Sequence, residues 1–303
     1  MTARSTTEGF FDARTGTISY VVWDTATRHA AVIDPVLGFD VRSGHTDTEA
    51  VEELLACVAH NGLQVDWVLE THAHADHLSA ARHVQAQVGG RIGIGANIRT
   101  VQATFGKLFN LEQGFAPDGT QFDQLFEDGE TFRIGEVEVT ALWVPGHTPA
   151  DIAYLVDGAV FVGDTLFMPD LGSARADFPG GDARQLYASM RRLLALPPET
   201  TLYVCHDYPP ATRAPAWKTT VAEQRASNIH VRDGIDEEAF VAMRTARDAT
   251  LEVPSLILPS IQVNIRAGHF PPADDNGVAY LRIPLNALPV RSTPSGADPQ
   301  TPR

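Results

Sequence analysis

The segment THAHADH at residues 71–77 is the densest group of metal-binding side-chain types in the sequence. It directly follows residues 65–69, an apolar run with the length and composition of a short buried strand. Imidazole and carboxylate groups are costly to bury unless they are paired or bind a metal ion. The spacing therefore predicts a metal centre here rather than a solvated polar loop. The four candidate ligands of this segment are His72, His74, Asp76 and His77.

Three further polar residues each follow another strand-like run. His147 lies in VPGHTP, Asp164 in VGDT and His206 in CHDY. Loops at the ends of neighbouring strands can bring distant residues to one edge of a layered fold, so we expect these side chains to join the first four. Gly146 and Gly163 precede two of them, and we expect the missing Cβ to let the backbone approach an ion closely.

The elements that position these residues alternate between strand and helix patterns. Hairpins are predicted within residues 18–33, 132–144 and 153–162, the last around Asp157-Gly158, a typical two-residue turn. Apolar spacing predicts helices over residues 49–60, 97–109 and 182–196 and after Leu78, and a charged helical region over residues 217–251. Residues from 253 onward are interrupted by proline and are expected to be irregular. Hairpins mixed with helices favour sheet layers covered by helices.

Composition limits the class of protein. The 303 residues are 44% apolar and 20% charged, which is typical of a folded globular chain. We expect one domain over residues 1–290 and a flexible tail over residues 291–303. With 23 basic against 38 acidic residues the net charge is −15, so neither nucleic acid nor an anionic membrane is an expected partner. Two cysteines and no long apolar segment predict a cytoplasmic protein without a disulfide framework.

Together these motifs resemble the pattern of the metallo-β-lactamase superfamily. That pattern is H-x-H-x-D-H, then a distant histidine, a bridging aspartate and a final histidine, and it falls on the seven residues above. The resemblance covers roughly residues 15–265 and implies an α/β fold, an αββα sandwich of two mixed sheets flanked by helices. The metal centre would lie along the edge between the sheets. Because this fold hosts many reactions, the activity depends on finer features.

The segment beginning at Gly163 resembles the bacterial, glyoxalase II-like persulfide dioxygenase branch of that superfamily. It carries an Arg-x-Asp-Phe element at residues 175–178 and a His-Asp-Tyr element at residues 206–208, and residues 253–272 resemble bacterial members. The resemblance implies one non-haem Fe(II) per chain, bound by His72, His147 and Asp164. Two histidines and one carboxylate leave three coordination positions open. The other four residues, His74, Asp76, His77 and His206, would orient these ligands or hold a second metal.

The implied reaction oxidises glutathione persulfide with O₂ and water to sulfite and glutathione. All seven ligands of a dinuclear centre are also present, so a dizinc thioester hydrolase of the glyoxalase II kind stays open as the alternative. A metal-binding module without activity is disfavoured, because every ligand position is filled. Another small thiol or coenzyme A stays open as the carrier, and the resemblance is compatible with a homodimer.

The candidate catalytic residues on the substrate side are Arg175, Asp177 and Tyr208. Arg175 could hold a substrate carboxylate while Asp177 fixes its guanidinium or the substrate amine, or the two could form an internal ion pair that braces their loop. Tyr208 could face the substrate or pack. Cys205 precedes His206, and neighbours on a strand point to opposite faces, so we expect no Cys-His nucleophile.

Overall fold

The strands of the sandwich lie within residues 5–220. The computed structural model describes residues 4–288. Its strands are β1 (Ser5–Asp12), β2 (Thr17–Asp24), β3 (His29–Ile33), β4 (Val36–Asp40), β5 (His45–Asp47), β6 (Gln64–Leu69), β7 (Leu78–Ser79), β8 (Arg91–Gly95), β9 (Gln124–Phe126), β10 (Thr131–Ile134), β11 (Val137–Trp143), β12 (Ile152–Val156), β13 (Ala159–Phe161), β14 (Thr201–Tyr203) and β15 (Lys218–Thr220). Two six-stranded sheets have the orders β1-β2-β3-β6-β8-β9 and β10-β11-β12-β13-β14-β15, and β5-β4-β7 form a small third sheet.

The helices cover the outer faces of the two large sheets. They are α1 (Glu49–His60), α2 (Ala81–Val88), α3 (Ile98–Phe109), α4 (Ala183–Leu193), α5 (Val221–Ser227), α6 (Glu237–Asp248) and α7 (Ile257–Asn264). One apolar cluster joins the first sheet to α1, α2, α3 and α7, and another joins the second sheet to α4 and α6. A third cluster fills the space between the sheets. The chain therefore has the expected αββα architecture. No helix within residues 4–288 is long and apolar enough to cross a membrane.

The sequence pattern of each strand reports how many of its faces are covered. Strand β11 alternates, with Val139 and Ala141 buried against the facing sheet and Glu138 exposed. All eight residues of β2 are buried, because Tyr20 faces the second sheet while Val21 packs on the helical side. This double coverage explains the nearly continuous apolar run in β2.

The predicted hairpins and the helices α1 to α4 are confirmed, but several elements differ from prediction. The strands β1, β4, β5, β7, β8 and β9 were not expected. Residues Lys218–Thr220 form an edge strand instead of a helical start. Residues 257–264, expected to be irregular, form the buried helix α7, which tolerates Pro259 because the first turn of a helix needs no N–H donor there. The expected tail over residues 291–303 lies outside the described residues.

The sheet order gives the sandwich two chemically different ends. The parallel strands β3 and β6, and β13 and β14, run toward the same end, which we call the site rim. It comprises residues 34, 70–77, 145–148, 163–165 and 204–208. The opposite end, which we call the turn rim, comprises residues 24–29, 134–136 and 157–158, where β2–β3, β10–β11 and β12–β13 connect.

Candidate metal centre

All seven predicted ligands lie at the site rim. Residues 72–77 leave β6, His147 lies between β11 and β12, Asp164 follows β13 in a short 3-10 turn, and His206 follows β14. Asp164 is the shared member of the group. Its Oδ2 lies 3.5 Å from His147 Nε2 and 3.9 Å from His72 Nε2, while its Oδ1 lies 3.4 Å from His206 Nε2. Asp76 Oδ2 lies 3.4 Å from His206 Nε2 on the other side.

Each imidazole has one nitrogen held by the protein. His72 Nδ1 lies 3.0 Å from the Thr71 hydroxyl, His77 Nδ1 is 3.0 Å from the Leu78 carbonyl, and His147 Nδ1 is 2.8 Å from the Arg175 carbonyl. Such bonds fix the orientation of each ring and leave its second nitrogen available for a metal, as is usual for histidines that bind a metal.

Several of the remaining polar atoms have no hydrogen-bond partner. They are buried, and no donor or acceptor within residues 4–288 bonds them. A buried polar group left unpaired is destabilising unless a ligand completes it. Nitrogen and carboxylate oxygen are good ligands for Fe(II) or Zn²⁺, so a metal fits this set. The unpaired atoms are His72 Nε2, His74 Nδ1, His77 Nε2, His206 Nε2 and Asp164 Oδ1.

The protonation states of His72, Asp76 and His77 are compatible with metal binding. Burial and then the nearby imidazoles lower the pKa of His72 well below its ordinary value. The same two causes lower the pKa of His77 to about 4. For Asp76, burial alone would raise the pKa, but the imidazoles of His206 and His77 lower it to about 2. At neutral pH these two histidines therefore carry free lone pairs and Asp76 is a carboxylate.

Two buried carboxylates that sequence analysis missed hold His74. Its Nε2 lies 3.0 Å from Asp34 Oδ1 and 3.5 Å from Glu70 Oε2. Asp34 also accepts the Thr71 N–H at 2.7 Å and the Thr71 hydroxyl at 2.9 Å. Although burial alone would lower the pKa of His74, these carboxylates raise it well above its ordinary value. Asp34 could have been found from the sequence, because it directly follows β3 as the other site residues follow their strands.

The glycines next to the ligands have another purpose than the predicted one. At Gly146 (φ 142°) a Cβ would lie 2.2 Å from the backbone nitrogen of Leu186 in α4. At Gly163 (φ 54°) it would lie 2.9 Å from the Thr71 side chain. The prediction that they permit approach to an ion was therefore wrong. They permit close packing of the site loops on α4 and on the segment that carries His72.

The geometric prediction for Cys205 was also wrong. Its Sγ lies within 4.8 Å of ring nitrogens of His74 and His206, so the neighbours Cys205 and His206 do not point apart. Both residues follow the end of β14, where strand alternation no longer applies. Burial raises the pKa of the Cys205 thiol well above its ordinary value, which makes it a poor nucleophile.

A cavity of about 420 Å³ opens beside the ligands and is lined by Asp76, His147 and Asp164. Tyr208 forms part of its wall and is half exposed, with its ring stacked on His206 at 5.7 Å between centroids. Arg175 also lines it. The Arg175 guanidinium donates to Asp177 at 2.5 and 2.9 Å and to the Glu252 carbonyl at 2.7 Å. The internal ion pair, one of the two arrangements expected for Arg175 and Asp177, is therefore present.

Comparisons with known proteins agree with this geometry. A family model described as the metallo-beta-lactamase superfamily matches residues 14–206. A probable metallo-hydrolase of Burkholderia pseudomallei is 54% identical over 93% of this chain and 100% of its own length. Glyoxylase B2 of Dictyostelium discoideum is 47% identical over 95% of this chain and 99% of its own.

More distant relatives are named for a different activity. Human mitochondrial persulfide dioxygenase ETHE1 is 28% identical over 85% of this chain and 87% of its own length. The crystal structure of ETHE1 from Myxococcus xanthus superimposes with a TM-score of 0.69 at 30% identity, covering 87% of this chain and all of that one. The relatives therefore share the fold but are named for two different reactions.

Proposed function

The chain belongs to the metallo-beta-lactamase superfamily, and we propose that it is an Fe(II)-dependent dioxygenase that converts glutathione persulfide to sulfite and glutathione. The balanced reaction is GSSH + O₂ + H₂O → GSH + SO₃²⁻ + 2 H⁺. The persulfide dioxygenase ETHE1 relatives and the ETHE1 structure from Myxococcus xanthus support this choice within the superfamily.

The observation that carries the proposal is one compact set of two imidazoles and one carboxylate. Ligand atoms of His72, His147 and Asp164 all lie within 4.8 Å of one another, and all three residues are buried. This donor set is typical of non-haem Fe(II) oxygenases. Bound by it, iron would supply redox chemistry with O₂ and keep coordination positions open for the persulfide.

The protein's own contribution is to orient the ligands and shape the cavity. His147 Nδ1 donates to the Arg175 carbonyl, and the Arg175 guanidinium is held by Asp177 and by the Glu252 carbonyl. We therefore assign Arg175 and Asp177 a positioning role for His147 rather than direct contact with a substrate carboxylate. Tyr208, on the cavity wall, would pack against the bound thiol carrier.

A dizinc thioester hydrolase is the second candidate, and a specific observation favours it. His77 Nε2 and His206 Nε2 are also buried and unpaired, with Asp76 beside them, and Asp164 lies between the two groups of ligands. The relatives named metallo-hydrolase and glyoxylase agree with this alternative. Two zinc ions would activate water for hydrolysis, because zinc has no redox chemistry.

Oxygen uptake distinguishes the two candidates. We expect the protein, purified without added metal, to consume O₂ with glutathione persulfide and to release an equal amount of sulfite. His147→Ala should abolish this uptake, while His60→Ala, which removes an exposed imidazole at the end of α1, should leave it unchanged. Hydrolysis of a glutathione thioester without oxygen consumption would overturn the proposal in favour of the hydrolase.

A further inference from the structure

Two cavities of different chemistry meet at His147. One is the cavity of about 420 Å³ described above, which we call the polar cavity and which Asp76, Asp164 and Tyr208 help to line. The other has a volume of about 320 Å³, and we call it the apolar cavity. His147 lines both, so one candidate metal ligand adjoins both spaces. The apolar side chains of the second cavity include Phe178, Pro179, Val253, Ile257 and Leu288.

The apolar cavity extends from the protein surface to this ligand. At its outer end, Val253 is exposed. At its inner end, Phe178 is buried, and its ring centroid lies 6.1 Å from that of His147. Ile257, in the first turn of α7, is also buried and lines the same space. A small molecule that enters beside Val253 can therefore reach His147 along an apolar wall.

The charged side chains in the wall of the apolar cavity neutralise each other. The Arg175 guanidinium donates to Asp177 at 2.5 and 2.9 Å and to the Glu252 carbonyl at 2.7 Å. The Nδ1 atom of His147 donates to the Arg175 carbonyl. A water molecule in a cavity needs about two to four polar partners, and apolar cavities without such partners stay dry and accept apolar guests. This wall therefore favours a small apolar ligand over water or an ion.

We infer that the apolar cavity is a binding site for dioxygen, so that the two substrates reach the metal centre through separate cavities. This inference rests on the proposed function for the requirement for O₂. It makes Phe178, Val253 and Ile257 the side chains that form the O₂ site, and it leaves the polar cavity to the persulfide and its carrier.

The polarity of the two substrates matches that of the two cavities. O₂ is uncharged and apolar, so transfer from water to an apolar cavity is favourable for it. Glutathione persulfide carries carboxylates, which are costly to bury without partners, so its carrier belongs in the polar cavity. When the carrier occupies that cavity, the apolar cavity stays open to O₂, and both substrates lie next to His147.

Xenon binding tests the site without turnover. Xenon is an apolar atom that enters cavities of this kind, and crystals of the protein pressurised with xenon should show it beside Phe178 and Ile257. Ile257→Trp should exclude it, because the larger ring fills the space. Ile283→Trp enlarges an exposed side chain that lines neither cavity and should retain the xenon. A parent protein whose apolar cavity takes up no xenon would overturn the inference.

Kinetics with O₂ as the varied substrate test the use of the site. At saturating glutathione persulfide, kcat/KM for O₂ should fall by about tenfold in Ile257→Trp, while the KM for the persulfide stays unchanged. Val253→Trp should give a smaller fall in the same direction, and this exposed position tolerates a larger ring if Ile257→Trp does not fold. Ile283→Trp should match the parent protein. A rise in the persulfide KM in place of the O₂ effect, or no O₂ effect in either cavity variant, would overturn the inference.

The two experiments separate this inference from the proposed reaction. If the parent protein consumes no O₂ with glutathione persulfide but binds xenon in the apolar cavity, the reaction is wrong and the site for an apolar gas is right. If it consumes O₂ and the cavity excludes xenon, the reaction is right and the site is wrong. Displacement of xenon by an acylated glutathione would assign the cavity to the acyl group of a hydrolase substrate and contradict the O₂ assignment.

Discussion

The two rims of the sandwich differ in whether all of their buried polar groups have hydrogen-bond partners. At the turn rim, Asp24 is 1% exposed and accepts the N–H groups of Glu136 and Ala26 and the Thr27 hydroxyl at 2.8 to 2.9 Å. At the site rim, buried nitrogens and the Oδ1 atom of Asp164 have no partner within residues 4–288. The same residue types therefore stabilise one end of the fold and remain available for a ligand at the other.

The difference separates residues that contribute to the free energy of unfolding from residues that are available for function. Hydrogen bonds of the turn rim tie the β2–β3 turn to the β10–β11 turn, so they hold the two sheets together. Asp66 adds to them by bonding His29 at 2.7 Å and accepting the Gly135 N–H at 3.3 Å. Substitutions at the turn rim should change stability without changing activity, and substitutions of unpaired groups at the site rim should do the reverse.

The largest effect is expected for Asp164→Ala. Removing a residue that only orients a metal ligand typically lowers metal affinity by about 10- to 100-fold, so removing a ligand itself should lower iron affinity and activity by more than about 100-fold. The free energy of unfolding of the metal-free protein should change by less than about 1 kcal/mol, because no hydrogen bond to this side chain is present in the described chain. Iron analysis and urea unfolding measure both. A large loss of stability would contradict the contrast between the rims.

Asp34→Ala should affect both stability and metal binding, because Asp34 forms hydrogen bonds with Thr71 and His74 of the site rim. The variant leaves the Thr71 N–H and hydroxyl and His74 Nε2 without this acceptor, which should lower the free energy of unfolding by about 3 kcal/mol. Loss of this orienting group should weaken iron binding by about 10- to 100-fold. Asp34→Asn keeps one acceptor oxygen and should lose less in both measurements. Unchanged iron retention in the alanine variant would show that Asp34 does not position His74.

Asp24→Ala should lower the free energy of unfolding by about 2 kcal/mol at pH 7 and leave oxygen uptake unchanged. Burial alone would raise the pKa of Asp24, but the hydrogen bonds it accepts lower the pKa to about 2. The stability from this ionised group is therefore present above the ordinary aspartate pKa of about 4 and is lost as the pH falls toward 2.

The pH dependence of unfolding checks the cause of that effect. The difference between parent and Asp24→Ala should shrink as the pH is lowered from about 4 to about 2. Asp275→Ala, at an exposed position, should match the parent throughout. A difference that stays constant down to pH 2 would mean that packing, not the charged hydrogen bonds, stabilises the turn rim.

The smallest effect is expected away from both rims. Arg184 pairs with Glu237 and Glu238 on the surface, where all three side chains are exposed. Such pairs contribute little because water screens them and the long side chains lose freedom, so Arg184→Ala should change the free energy of unfolding by at most about 0.5 kcal/mol. Thermal unfolding measures this change. A decrease in the free energy of unfolding above about 1 kcal/mol would show that surface ion pairs outside the turn rim contribute substantially to stability.

The ligand residues and the layered fold could be predicted because both depend on local patterns. Residues 71–77 contain several metal-binding side chains directly after a strand. Hairpin turns such as Asp157-Gly158 can be recognised from their residue types. Both residues of that turn have positive φ, as a two-residue hairpin turn of this kind requires.

The contacts that hold the ligand side chains in place could not be predicted from the spacing of residues in the sequence. Asp34 reaches His74 only once β3 and β6 lie side by side. The helix α7 was missed because Pro259 suggested a break, although its position in the first turn makes it harmless.

Metal analysis of the protein purified without added metal tests the central claim most directly. The compact buried set of His72, His147 and Asp164 predicts about one iron per chain and little zinc, with the iron lost in His147→Ala and retained in Asp24→Ala. About two zinc ions per chain, bound by all seven predicted ligands, would contradict the account and assign the molecule to hydrolysis.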